Sequence, residues 1–343
     1  MIESKVSDHT KVLMPSRKHF LTVFTIVFTA VFLQSCIIAS FPVFGGGKAD
    51  FEEKVISGTD KDKILIIPIE GIISDESKES FFGGSTESVV ARVKESLKFA
   101  ERDPFIKGVI LKINSPGGTV TASDIIYQEI LNFKQRKRIP VFAGFMDTAA
   151  SGAYYIAMST DSIGAHPTTV TGSVGVIMQG FNFKEGLDKI GVKDQSITSG
   201  ANKAIGSPFI DQSPEQKKIL QSIVDNLYHR FFQIVKKGRP NVPETRLKEI
   251  CDGRIFTAEQ AKNEGMVDFI GYFEDFQYRL MQHDKYSGDK SGNPKLIVYQ
   301  RGKGRVENIY QANGSSENQI KLGIVDKFLG QNSGAKFYYL WDL

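Results

Sequence analysis

Cysteine is nearly missing from this chain: Cys36 and Cys251 are the two among 343 residues. Cys36 sits in an apolar N-terminal stretch, so no structural disulfide is expected, and Cys251 reads as a small buried apolar side chain. The histidines are few and scattered, at 9, 19, 166, 229 and 283, and neither HExxH nor CxxC occurs. No metal centre and no cofactor is therefore expected. A histidine-based hydrolytic triad also lacks its base, because Thr171 to Asn182 holds no histidine and His166 follows Ser151 closely and precedes Pro167. Charge of one sign is not in excess: the net value is +4, with no basic run interleaved with aromatics. That balance speaks against nucleic acid as a partner. No internal repeat is visible.

The sharpest absence is local. From His19 to Gly47 there is no Asp, Glu, Lys or Arg, while Lys11, Arg17 and Lys18 stand just before. About 20 helical residues cross a bilayer core, and Phe20 to Phe44 is long enough. Basic residues ahead of the segment favour an N-in orientation, with the rest of the chain on the extracytoplasmic side of a bacterial cytoplasmic membrane. The competing reading is a lipoprotein signal, in which Leu33-Gln34-Ser35-Cys36 resembles a lipobox and Cys36 is the lipidation candidate. The expected organisation is a cytoplasmic segment over 1–18, an anchor or signal over 19–47 and a linker over 48–62. A folded domain over 63–283 and a poorly ordered tail over 284–343 complete it.

Lys63 to Ile69 is a short continuous apolar run, the mark of a strand buried on both faces. A helical stripe of Val89, Val90, Val93 and Leu97 follows, with Thr86 as a candidate N-cap. A second strand over 108–113 runs into Ser115-Pro116-Gly117-Gly118, then a helix with Ile126, Ile130 and Phe133 inward. A third strand over 140–144 leads to Ala149-Ala150-Ser151, and short strands are expected at 162–165 and 174–178. This alternation predicts an α/β fold with mostly parallel strands and flanking helices. After Ser213-Pro214, Ile219, Leu220, Ile223, Leu227, Phe231 and Ile234 keep helical spacing as core or subunit-contact residues.

Four segments carry chemistry. Ser151 lies among Ala149, Ala150, Gly152 and Ala153, where a carbonyl can approach its hydroxyl. A serine needs a base within about 3 Å to become a nucleophile. Gly118 and Gly152 offer backbone N–H groups to an oxyanion, each worth about 2.7–4 kcal/mol of barrier. Lys203, in Ser199-Gly200-Ala201-Asn202-Lys203, acts as a base once desolvation leaves it neutral, with small neighbours to enclose it. Ser173, in Thr171-Gly172-Ser173-Val174-Gly175, stands as the group that orients the amine. An extended peptide adds as a strand beside Gly117, Gly118, Thr119 and Val120, and Tyr154 or Tyr155 walls the pocket. The closing aromatics, Phe337 to Leu343, form a candidate self-ligand for the apolar cleft.

In this order the segments resemble the Ser/Lys-dyad peptidases of family S49, the signal peptide peptidase A family, from about Ile64 to Gly271. Gly253 to Thr257 and Gly265 to Asp268 look like its C-terminal signature. Ala153 and Ala258 depart from glycines common in the family. The resemblance implies a Clp protease/crotonase-like fold, with Ser151 as nucleophile, Lys203 as general base, Ser173 as its orienter and Gly118 and Gly152 as oxyanion hole. It implies a membrane-anchored endopeptidase that degrades cleaved signal peptides and other hydrophobic peptides. It also implies a homo-oligomeric ring in which neighbours share Ser and Lys. Two alternatives stay open from the sequence: a crotonase-like acyl-CoA enzyme, and a non-catalytic membrane scaffold on the same fold.

Overall fold

Ile64 to Ile67 are all buried, and their alternation divides them between two cores. Leu65 and Ile67 join one apolar cluster, Ile64 and Ile66 the other, as a period of two requires when both faces of a sheet are covered. A computed structural model of the protein describes residues 51–79, 85–302, 306–312 and 337–341. The strands in chain order are β1 Phe51–Ser57, β2 Lys63–Glu70, β3 Lys78–Glu79, β4 Ser85–Thr86, β5 Ile106–Ser115, β6 Gly117–Thr119 and β7 Val141–Ala150. They continue with β8 Ser162–Ala165, β9 Val170–Gly172, β10 Ile177–Met178, β11 Ile255–Thr257, β12 Phe269–Ile270, β13 Lys295–Arg301 and β14 Phe337–Leu340. The helices are α1 Val89–Arg102, α2 Val120–Lys137, α3 Gly152–Ala157, α4 Lys184–Lys189, α5 Pro214–Gly238, α6 Glu244–Ile250, α7 Ala258–Asn263 and α8 Phe273–Gln282.

The main sheet runs β1-β13-β2-β5-β7-β8-β12, with β9 beside the end of β7 and β11 beside β9. Pairing is parallel from β13 to β12, and antiparallel where β1 meets β13 and β11 meets β9. Helices cover both faces: Val93, Ile130 and Phe231 from α1, α2 and α5 fill one core, and Phe273, Phe276 and Leu280 of α8 fill the other. This is the mostly parallel α/β fold expected. Helix α2 begins where Thr119 accepts a hydrogen bond from Ala122 N–H. Helix α5 begins at a reciprocal capping box of Ser213 and Gln216 with Pro214 in the first turn.

Several expectations need correction. The supposed linker over 48–62 contains β1, whose partner β13 lies in the tail expected to be poorly ordered. That tail also supplies β14, and Val306, Ile309 and Ala312 in the second core. Helix α1 is capped by Ser88, not Thr86, and the strand expected over 174–178 shrinks to β10. The segment 19–47 and Cys36 lie outside the described residues. Among the described residues no helix is long and apolar enough to cross a membrane.

Candidate active site

Strands β7 and β9 set the geometry. Ala149 and Ala150 pair in parallel with Thr171 and Gly172, so Ser151 and Ser173, the next residue of each, leave the sheet as neighbours. Both have positive φ, 54° and 51°, a conformation that costs a residue with a Cβ and that clusters at functional sites. Backbone bonds hold it: Ser151 N–H donates to Gly172 C=O at 2.8 Å, and Ser173 N–H donates to Arg254 C=O at 2.7 Å. Ser151 Oγ is buried and has no hydrogen-bond partner among the described residues. Leaving a buried hydroxyl unpaired costs about 1–3 kcal/mol, so this turn keeps a strained, unsatisfied group that packing alone does not explain.

The glycine loop is built against it. Ser115 Oγ accepts from Gly117 N–H at 3.1 Å and donates to Gly71 C=O at 2.6 Å, which fixes the bend. Ile73 N–H donates to Gly117 C=O and Thr119 N–H donates to Ile73 C=O, each at 2.9 Å. Those two bonds occupy one edge of β6, so the alternation of an extended backbone turns Gly118 N–H to the other edge. A Cβ on Gly118 would lie 1.9 Å from Ile73 O, and one on Gly152 would lie 2.4 Å from Ser123 Oγ. Only glycine fits at either place. The Gly152 nitrogen is 2.8 Å from where a Gly117 Cβ would stand, and the Gly118 nitrogen is 3.2 Å from the equivalent point on Gly152. Both nitrogens border one small space beside Ser151.

The remaining candidates divide. Lys203 is exposed in a stretch, residues 191 to 203, that is exposed throughout. Because Ser151 Oγ has no partner among the described residues, the amine does not reach it within this chain, and the small residues around Lys203 do not enclose it. The extended run stops at Thr119; Val120 is the first residue of α2, since the Thr119 cap ends the strand. Tyr154 is core, not pocket wall: it is fully buried, its hydroxyl donates to Met266 C=O at 2.9 Å, and burial pushes its phenol up to about 12. One helical step on, Tyr155 is equally buried and packs against Tyr127, Phe231 and Tyr339. Its hydroxyl donates to Asp124 at 2.5 Å, and burial, with the Asp124 hydrogen bond and charge, drives its phenol well above the ordinary range. Cys251 is buried with its thiol raised to about 12, chiefly by burial and then by Asp252, so it takes no part as a nucleophile.

Sequence reasoning missed Ile73, whose backbone braces β6, and the Asp124–Arg230 pair behind Tyr155 at 2.6 Å. Ile73 acts through its main chain, which leaves no trace in residue type. The candidate self-ligand does lie in the groove: β14 is the middle strand of β10-β14-β6.

Residues 133–287 match the family model of peptidase family S49, and residues 72–168 match that of Clp protease. A putative signal peptide peptidase SppA from Enterococcus faecium is 39% identical over 243 residues, 71% of this chain and 70% of that protein. The chain belongs to peptidase family S49. Another relative of this S49 peptidase is a putative protease of Synechocystis, 38% identical over 60% of this chain and 75% of that one. Protease 4 of Haemophilus influenzae is 34% identical over 73% of this chain but 41% of its own length. Among solved structures the chain is similar to a point mutant of the 1510-N membrane-bound stomatin-specific protease, with a TM-score of 0.46 and 18% identity over 71% of this chain and 100% of that one. Membership in S49 makes the chain a protease and removes the motive for an acyl-CoA reading.

Proposed function

We propose that this S49 peptidase is a serine endopeptidase with Ser151 as nucleophile and Lys203 as general base, the lysine arriving from a neighbouring copy. The observation that carries the reading is the strained, buried and unpartnered Ser151 hydroxyl beside the Gly118 and Gly152 nitrogens. Ser151 attacks the carbonyl, the two N–H groups receive the oxyanion, and water hydrolyses the acyl-enzyme. Ser173, next to Ser151 across the strand pair, orients the amine. The arm that bears Lys203 has solvent-facing apolar residues, among them Ile177, Phe181, Phe183, Ile190, Ile197 and Phe209. A surface of that kind is what a second copy covers, and the same contact would desolvate Lys203. A homo-oligomeric ring follows from a head-to-tail contact that closes.

Substrates on this reading are extended hydrophobic peptides laid beside Gly117 to Thr119, held by main-chain bonds. Signal-peptide remnants fit that chemistry, and the Enterococcus relative carries that activity in its name. Residues 19–47 serve as the membrane attachment, with the catalytic domain on the extracytoplasmic side. A serine-directed fluorophosphonate should label the full chain, and Ser151→Ala should lose both the label and hydrolysis of an apolar peptide, by at least about 10³-fold. Full labelling of the Ser151→Ala chain would sink the assignment.

A further inference from the structure

Away from Ser151, the carbonyl ends of α3, α5 and α7 close around a polar cavity of about 430 Å³. Asp161 lines it and accepts from the N–H of Val141, the first residue of β7. Ser151 follows the last residue of that strand, Ala150. A rise of roughly 3.3 Å per residue therefore puts the cavity about 25–30 Å from the nucleophile. Two glycines let the helix ends meet there. A Cβ on Gly238 would lie 2.7 Å from Met158 Sδ, and one on Gly265, at φ 71°, would lie 2.8 Å from Val242 Cγ2. Two cations stand in the wall: Arg239, the C-cap of α5, and Lys262 in the last turn of α7.

The lining holds two carboxylates, and both are already matched. Asp161 pairs with Lys285 at 2.8 Å and Lys134 at 3.2 Å. Asp268 accepts from Ile163 N–H at 2.7 Å on one oxygen and from Arg239 Nη1 at 2.7 Å on the other. The cations are not matched in return. Arg239 is 8% exposed, and its Nε has no acceptor among the described residues. An unpaired N–H on a buried charged group is costly. The Tyr154 hydroxyl stands near the guanidinium, but it donates to Met266 C=O and does not pair with Nε. Lys262 donates to Asp268 C=O and forms no ion pair among the described residues. Arg239, Lys262, Lys134 and Lys285 thus surround Asp161 and Asp268. The helix carbonyl ends offset part of that excess, and what remains favours a negative ligand.

We propose that this cavity is a second binding site, in which Arg239 and Lys262 hold the oxyanion of a small soluble molecule, a carboxylate or a phosphate. A guanidinium presents its donors in a planar fork that matches either group, while an ammonium adds charge without direction. With Nη1 fixed by Asp268, the guanidinium is in place before a ligand arrives, so little freedom is lost on binding. The volume suits a whole small molecule and not a bare ion. Met158, Ile163 and Val242 supply apolar wall for its carbon part. The site uses neither Ser151 nor the groove beside it, so it stands independently of the peptidase reading.

Thermal unfolding of the full chain tests this, with sodium phosphate or sodium acetate titrated against sodium chloride at constant ionic strength. At least one of the two anions should raise Tm by roughly 2–5 °C and saturate. Phosphate alone would mark a phosphate-bearing ligand, and acetate alone a carboxylate. Arg239→Lys keeps a positive charge beside Asp268 but loses the fork, and should abolish the shift. Lys262→Gln, at an exposed position, should weaken the apparent affinity about 5- to 20-fold, and it decides alone if Arg239→Lys does not fold. Saturation and loss in the variants separate binding from the general stabilising effect of phosphate. No saturable shift with either anion, or a shift that the folded variants keep in full, would overturn the inference. Stabilisation by methylammonium chloride in place of both anions would overturn it too, because carbonyls and carboxylates would then set the charge of the cavity.

Discussion

At the scale of single residues, the glycines around Ser151 are defined by what a methyl group would strike. Gly118→Ala would put a carbon 1.9 Å from Ile73 O, which is backbone and cannot swing aside. The Gly118 nitrogen must then leave its place, and the expected loss is about 10²–10³-fold in kcat, the worth of one oxyanion donor, read in a peptide assay on folded protein. Retention of full kcat would remove Gly118 from the site. These positions were legible in the sequence because a backbone that tolerates no Cβ forces glycine, and a turn that crowds the nucleophile forces alanine. The difference between Tyr154 and Tyr155 was not legible. Helix α3 spans six residues, and its phase is set by the positive-φ turn at Ser151, which residue type does not announce.

At the scale of elements, β7 carries the nucleophile and is pinned at its start. Asp161 accepts from Val141 N–H at 2.9 Å and pairs with Lys285 at 2.8 Å and Lys134 at 3.2 Å. Burial works against its charge, but the Lys285 and Val141 hydrogen bonds and the nearby lysines hold the carboxyl below its ordinary 3.8. Asp161→Asn should cost about 1–3 kcal/mol, read as a lower Tm. Since the folded value lies below the unfolded one, this stabilisation is complete above the unfolded carboxylate range and is lost as pH falls through the folded value. The Tm gap between wild type and Asp161→Asn should therefore narrow below about pH 4. A gap that widens on acidification would contradict the pairing. The inner strands were readable because burial on both faces writes a continuous apolar run. Strand β1 was not: Phe51-Glu52-Glu53-Lys54-Val55-Ile56-Ser57 mixes charged and apolar residues, and its partner β13 lies across the whole domain in sequence. An edge strand held by so distant a partner leaves no local pattern.

At the scale of the whole molecule, the long amphipathic helix α5 divides in two. Phe231, Phe232, Ile234 and Val235 are in the core, while Ile223 is 37% exposed, and Ile197 in the arm that bears Lys203 is wholly exposed. The sequence indicated apolar residues but not which of them meet a neighbour, because core and interface draw on the same side chains. Sedimentation or mass photometry of the full chain should give an assembly, and Ile190→Asp with Ile197→Asp should break it and abolish cleavage together. A dissociated double variant with wild-type turnover would mean that each chain works alone. The most direct test mixes two inactive chains. Co-assembled Ser151→Ala and Lys203→Ala should recover about a quarter of wild-type activity, since one seam in four then joins an intact serine to an intact lysine across a head-to-tail contact. No recovery from a mixed assembly, beside an active wild type, would contradict a dyad shared between copies.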